Sequence, residues 1–471
     1  MKTKILMLIA CLFSAGNMLA ESELRIASIP EGIETLDDFV VRARTVGGSW
    51  QEVGTYAMKV DEVLNTKHNT RMVSVAKFEF EGEVEIEVTS AKEDIQSYCI
   101  RPASFGIKAQ QTGRTLTFKL TSPHYLSVEI NGKRFGNLHI FADKIMTKPK
   151  VRKRDLIYFG PGVHRLSGDT LAIPSGKTVF IDQGAVVIGG LSVYKSHDVA
   201  ILGHGIISTY RRAGINVAYS QNVTIDGPLT TQIPVGGSEH VSISNAKAIS
   251  YWGWGDGMNI FASSNVKYKN VFCRTSDDCS TIYCTRGIYH GSCRNICIDG
   301  AIYWADVAHP IMIGLHSETP EDEIIENVTY RNIDILDQAE AQIDYQGCLG
   351  INNGDNILVR NLTFENIRIE SLRRGMILNF RVCFNKKYCT APGRGIEDVT
   401  VRNLSYTGKE PNLSIITGYN EERQIKNLTF ENLNINGLRI SDDMSSKPKW
   451  YKTSDMANFF VGEHVENITF K

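Results

Sequence analysis

The chain has 471 residues, of which 42% are apolar and 22% charged. That length calls for two or three units or a repeat architecture drawn out along one axis, and the composition excludes a disordered or collagen-like chain. Lys and Arg number 51 against 52 Asp and Glu, a formal charge of −1, so there is no chain-wide basic field for nucleic acid.

Met1-Lys2-Thr3-Lys4, a nearly unbroken apolar run from Ile5 to Phe13, and small residues up to Ala20 predict a cleaved secretory leader over 1–20. The run is too short to span a bilayer, and no later stretch is a candidate span. Losing Lys2 and Lys4 takes the formal charge from −1 to −3. A second reading takes Leu8-Ile9-Ala10-Cys11 as a lipoprotein box with Cys11 lipidated. Its apolar region would be unusually short, so a secreted or periplasmic chain is preferred.

Residues 21–142 predict a small β-sandwich. Phe78-Glu79-Phe80-Glu81 and Val84-Glu85-Ile86-Glu87-Val88 alternate with period two, one face buried and one wet. Asn131-Gly132, between Leu126–Ile130 and Lys133–Phe141, predicts a hairpin because both central positions favour positive φ. Thr112-Gly113-Arg114 predicts another turn. Residues 143–154 carry Lys144, Lys148, Lys150, Arg152, Lys153 and Arg154 around Pro149. They read as a solvated connector rather than an anion site.

From residue 155 to 471 a different texture takes over. Asn-[Val/Ile/Leu]-x-apolar recurs from Asn222, Asn265, Asn295, Asn327, Asn361, Asp398, Asn427 and Asn467. A repeat near 30 residues, with no sustained helical period, predicts a solenoid of short strands. Alternate apolar residues would stack inside, and turn asparagines would ladder through their amides. A parallel β-helix fits; leucine-rich repeats do not, because their leucine spacing is missing. Ten cysteines less Cys11 leave nine. The spacing from Cys273 to Cys297 contains no zinc-type CxxC pair, so they read as core residues, with a disulfide such as Cys383–Cys389 possible.

The chemistry concentrates in Trp252-Gly253-Trp254-Gly255-Asp256-Gly257 and Arg274-Thr275-Ser276-Asp277-Asp278-Cys279. The acids lie about one coil apart, so all three carboxylates can share one wall on successive rungs about 4.8 Å apart. Crowded acids repel, and one should hold a proton near neutral pH. A proton donor beside an ionised base is what inverting glycoside hydrolysis uses. Neighbouring Asp277 and Asp278 would point to opposite faces of a regular strand, so this reading requires a bend there.

Asp256-Gly257, Asn265-Val266 and Ser276-Asp277-Asp278-Cys279 resemble the Asn-Thr-Asp and Gly-Asp-Asp motifs of the polygalacturonase family of glycoside hydrolases. They also resemble the related dextranase/isopullulanase family, which places a β-sandwich before its β-helix. The segment from Gly160-Pro161-Gly162 to Gly184-Ala185-Val186 is similar to the start of such helices. The resemblance implies an all-β chain with a right-handed parallel β-helix. It makes Asp277 the general acid and Asp256 and Asp278 the bases that activate water, with no metal and no cofactor. Ala308-His309-Pro310 resembles the family's Gly-His-Gly stretch, so His309 would tune the acid or hold substrate. Two departures stand out: Gly255 and Ser276 replace the family's Thr and Gly, and His309 follows Asp278 by 31 residues, a long step.

The family's Arg-x-Lys uronate clamp is missing from the corresponding Gly347-Cys348-Leu349-Gly350-Ile351-Asn352-Asn353. That favours a neutral polysaccharide or oligosaccharide, unless Arg286, Arg374 or Arg381 takes over. Tyr345, Gln346, Asn352 and Asn353 are candidate hydroxyl-binding groups, and Trp252, Trp254 and Trp304 candidate stacking platforms. The chain is expected to act as a monomer. Two rivals remain: a pectate-lyase-like eliminase using calcium, with Arg274 as base, and a non-catalytic glycan-binding helix.

Overall fold

The computed structural model describes residues 22–64, 67–209, 213–251 and 253–471. The leader read over 1–20 and the Trp252 candidate lie outside them. Among the described residues, two sheets come first. One has six strands: Glu23–Arg25, Thr55–Leu64, Lys67–Glu81, Leu138–Lys144, His124–Ile130 and Tyr98–Arg101. The other has five: Gln51–Val53, Phe39–Thr45, Val84–Ser90, Thr115–Leu120 and Gln110–Thr112. Val41, Ile86, Val88, Leu116 and Phe118 of one meet Phe78, Phe80, Leu126, Val128 and Ile140 of the other in a closed apolar core.

Alternation predicts Val84–Ser90 well, with every second residue buried. It fails at Glu79 of the strand Lys67–Glu81, where Glu79 is buried, as is Lys77 before it. The reason lies outside the strand. Its other face docks on the following helix, where Glu79 takes a hydrogen bond from His204 Nδ1 at 2.6 Å and Lys77 donates to the Gln183 carbonyl at 2.5 Å. The Asn131-Gly132 turn has φ of 55° and 71° as expected, but the return strand starts at Leu138, opposite Val128. Residues 131–137 loop out because Arg134, Phe135 and Asn137 reach the helix, described below. The Thr112–Thr115 hairpin forms around Gly113.

The basic residues 144, 148, 150 and 152–154 are exposed. From Leu156 onward the chain winds into a single sheet system of 28 strands among the described residues, paired in parallel except for the hairpin of Leu433–Ile435 with Leu438–Ile440. Val266 and Tyr268, Ile296 and Ile298, Val328 and Tyr330, Leu362 and Phe364, Val399 and Val401, and Leu428 and Phe430 stack rung on rung inside it.

The repeating asparagines turn the corners. Asn265, Asn295, Asn327, Asn361, Asn427 and Asn467 all have φ between 54° and 58°, a left-handed conformation that asparagine tolerates better than other side chains. Their amides form a ladder: Asn295 donates to Asn265 at 3.1 Å, Asn327 to Asn295 at 3.1 Å and Asn361 to Asn327 at 2.6 Å, over steps of 30, 32 and 34 residues. A second ladder runs through Asn332, Asn366, Asn403 and Asn432. Asn327→Ala should therefore cost about 1–3 kcal/mol, through a strained corner and two lost amide bonds. Urea unfolding against wild type measures it, and a change below about 0.5 kcal/mol would mean the ladder is ornamental.

The six-stranded sheet lies along one flank of the helix. Tyr56, Val60, Val73, Val75, Tyr125 and Phe141 cover a strip of Val186, Ile206, Leu229, Ile249, Phe272, Ile302 and Leu336. At its edge Arg274 is wholly buried. It bonds Asp306 at 2.8 Å, Asn137 Oδ1 at 2.8 Å and the Arg134 carbonyl at 2.8 Å. Its guanidinium lies 4.1 Å from the centre of the Trp304 ring. All described cysteines are free thiols; Cys383 and Cys389 are hydrogen-bonded neighbours without a disulfide.

Candidate active site

Strand register builds the site. Met258–Phe261 pairs with Ser280–Tyr283 as Met258↔Ser280, and Ser280 pairs in turn with Ile311. The residue two places before each of these falls in one column: Asp256, Asp278 and His309 on successive rungs. Backbone bonds fasten the column, from Gly257 N–H to the Asp278 carbonyl at 2.9 Å and from Cys279 N–H to the His309 carbonyl at 2.8 Å. Asp277 sits where the chain bends out of the ladder after Thr275. The Thr275 hydroxyl donates to the Asp277 carbonyl at 2.6 Å, and Asp278 N–H donates to Asp277 Oδ1 at 3.0 Å. The bend puts both acids on one side. One carboxylate oxygen from each of Asp256, Asp277 and Asp278 lies within 4.8 Å of the other two.

Asp256 and Asp277 are partly exposed and Asp278 is buried. Burial, and next the charge of Asp278, pushes the Asp277 carboxyl from its ordinary 3.8 up to about 7. Asp277 therefore carries a proton through the acid and near-neutral range. Three donors converge on Asp278: His309 Nδ1 at 2.7 Å, His309 N–H at 3.1 Å and the Tyr283 hydroxyl at 3.1 Å. The other ring nitrogen of His309 faces the Tyr345 carbonyl. With a carboxyl group on one side and a carbonyl on the other, this setting favours the doubly protonated ring. Burial is the largest single effect and opposes that charge, but the charge and hydrogen bond of Asp278, with Glu340 and the Tyr345 carbonyl, together raise the His309 pKa above its usual value.

The remaining sequence candidates fall elsewhere. His309 has no exposed surface; it lies beneath the acids and orients Asp278 instead of meeting a sugar. Gln346, Asn352 and Asn353 are also wholly buried. Gln346 donates to the Glu340 carbonyl, Asn352 accepts from Arg381, and Asn353 donates to the Ile357 and Gly395 carbonyls. Their amides serve the scaffold. Trp304 is sealed under Arg274 and Arg101 and is no platform. Arg274, bonded to Asp306 on the far flank, is no base. Trp254 is 65% exposed, two residues from Asp256. Tyr345 is nearly buried, edge-on to His309 at 4.5 Å. Arg286 pairs with Glu318, Arg381 donates to the Asp344 carbonyl, and Arg374 is exposed. The long step to His309 is taken up by residues 284–292, a loop clamped by buried Glu323 through Thr285 and Gly291. Sequence reasoning missed Tyr283 and Glu340. Tyr283 was within reach, because period two from Thr281 puts it on the outward face with the acids; nothing marked Glu340.

The sequence signature of glycosyl hydrolases family 28 matches residues 212–453, just over half of the chain and spanning all three acids. The chain belongs to glycosyl hydrolase family 28. Its membership establishes the polygalacturonase-type resemblance, and this family 28 chain is a glycoside hydrolase with an acidic cluster on a parallel β-helix. No curated protein matches its sequence. Among solved structures it is similar to Dex49A from Penicillium minioluteum, at 12% identity over 94% of this chain and 96% of that one, with a TM-score of 0.60. It is also similar to a family 28 exopolygalacturonase from Yersinia enterocolitica, at 11% identity over 82% and 96% and a TM-score of 0.48. The family 28 chain shares its fold with the first of these over nearly its full length, sandwich included.

Proposed function

We propose that this hydrolase cleaves an O-glycosidic bond of a neutral polysaccharide by single displacement. Asp277 protonates the leaving oxygen as its bond to the anomeric carbon breaks. Asp256 and Asp278 take a proton from the water whose oxygen forms the new bond to that carbon. The observation that carries the reading is the column that brings Asp278 over Asp256 while a bend turns Asp277, with its raised pKa, to the same side. The triad is complete within one chain, which supports a monomer, and the leader expected over 1–20 supports export. The sandwich over 21–142 and the connector over 143–154 support the helix without contributing to the triad.

Neutrality of the substrate is supported by the local charge. The acids gather with buried Glu340, which itself raises Asp277. Arg274 and Arg373 are both tied to Asp306. A sugar carboxylate would meet repulsion from this cluster, and of the candidate cations Arg286 is paired with Glu318 and Arg381 with the Asp344 carbonyl. The acids stand closer than the roughly 6.5–9.5 Å of two-carboxylate inverting sites. A water held jointly by Asp256 and Asp278 removes the need for that gap, so inversion is expected. The test is a screen of the purified protein on dextran, pullulan, galacturonan, arabinan and galactan, with NMR of the first anomer released. Hydrolysis confined to galacturonan would overturn neutrality; a retained anomer would make one aspartate a nucleophile.

One observation favours a second reading. Three oxygens within 4.8 Å also suit a cation, as in a calcium-dependent eliminase. Undiminished activity in EDTA, with no unsaturated product absorbing in the ultraviolet, is the outcome expected of the hydrolase; the reverse selects the lyase.

A further inference from the structure

Beyond the triad, toward the C-terminal end of the helix, the outward face of the sheet is roofed. Ile311, Ile313, Leu349, Ile351, Leu378 and Phe380 point into the coil. Met312, Asn352 and Asn379 alternate with them and point out, yet none has any exposed surface. Two loops, 339–347 and 383–393, cover them. Tyr345 and Tyr388 stack at 5.2 Å and 20°. Tyr388 stands edge-on to His316 at 5.7 Å, and His316 edge-on to Tyr283 at 5.0 Å. Tyr283, Met312, Leu315, Tyr345 and Cys389 form one apolar cluster outside the coil.

The roof is fixed from below. Wholly buried Asp355 accepts from Ala391 N–H at 3.0 Å, the Thr390 hydroxyl at 2.7 Å and Ser317 N–H at 3.0 Å. Asn379 donates to the Gln346 carbonyl at 2.7 Å, and Lys387 joins the two loops through Gln342 at 3.2 Å. Because Tyr345 packs on His309, and His309 bonds Asp278, the wall begins directly beside the acids. The side toward the N-terminal rungs is different. Trp254 is exposed there, and a file of rings runs outward from Tyr283 through Phe261, Tyr289 and Tyr219 to Tyr194 at centroid steps of 6.0, 5.8, 5.5 and 6.0 Å. Tyr194 is 49% exposed.

An enzyme that cuts within a chain needs room for sugars on both sides of the broken bond. Here one side is walled, while the other carries exposed rings suited to sugar faces. We infer that the site is a one-ended cleft and the hydrolase exo-acting: a glycan terminus abuts the Tyr345–Tyr388 wall, and the rest of the chain runs toward the N-terminal rungs over Trp254 and Tyr194. This rests on the hydrolase reading of the same triad.

The test follows viscosity and reducing ends together on whichever of the five polymers is cleaved. The expected result is steady release of one small product with viscosity nearly unchanged. A rapid fall in viscosity with a ladder of intermediate oligosaccharides would overturn the inference and leave the hydrolase reading standing. No release from any polymer sinks both. Tyr345→Ala with Tyr388→Ala, checked for folding by circular dichroism, should add longer products. Tyr194→Ala should raise KM for long chains roughly 2- to 10-fold, the scale of one stacked ring, and leave short ones unaffected; equal KM at both lengths would overturn the placement of the chain.

Discussion

Asp277→Asn should lower turnover by about 10²–10⁴-fold and, at neutral pH, make the protein more stable. The asparagine keeps the size of the side chain and most of its hydrogen bonding but has no proton to give the leaving oxygen. Wild-type activity should itself decline above pH 7, as Asp277 loses that proton. The stability change has a definite sign. The carboxyl titrates near 3.8 in the unfolded chain and near 7 in the folded one, so between those values the native state binds more protons and folding weakens as pH rises. Below about pH 4 the group is neutral in both states and contributes no difference. Asparagine removes the penalty, so the variant should melt above wild type at pH 8, and the gap should close as pH falls toward 4. Equal melting curves across that range would show that Asp277 is not held against its charge, and would remove the reason to assign it as the acid.

Arg274→Leu should cost about 3–5 kcal/mol, the scale for breaking a buried ion pair from one side. The guanidinium satisfies Asp306, Asn137 and the Arg134 carbonyl at once, with no exposed surface of its own. Leucine would fill part of the space under Trp304 and leave three acceptors dry, although Arg373 would still reach Asp306 at 3.2 Å. Urea unfolding reads the loss, with Lys153→Ala on the exposed connector as a comparison expected within about 0.5 kcal/mol of wild type. A loss below about 1 kcal/mol for Arg274→Leu would mean that water or Arg373 compensates, and that the junction is softer than its geometry implies.

The solenoid was legible because a corner needing left-handed backbone selects asparagine, and a ladder repeats that selection every coil. Asp256 and the Asp277-Asp278 pair were legible for the same reason, since a step of one coil returns the chain to the same wall. What stayed hidden depends on contacts between distant segments. Glu79 reads as part of a wet face until a second sheet system covers it. Asn352 and Gln346 have the composition of a sugar site, and only the loops around Tyr345 and Tyr388 make them interior. Asn131-Gly132 reads as a tight turn with its return strand starting at Lys133, because nothing in the local sequence announces that Arg134 and Asn137 have partners 140 and 137 residues away.

The flank strip from Val186 to Leu336 carries a consequence for how such a molecule can be rebuilt. Stacked coils resist bending weakly, since each grips only its neighbours. Here a second layer is fastened across many coils at once, like a splint along a column, and it runs past the rungs that carry the acids to Leu336 and Glu370. Lengthening or exchanging coils beyond that splint leaves the reacting groups in place, whereas detaching the splint would bare a continuous greasy stripe and free the coils to slide at the point where alignment matters most.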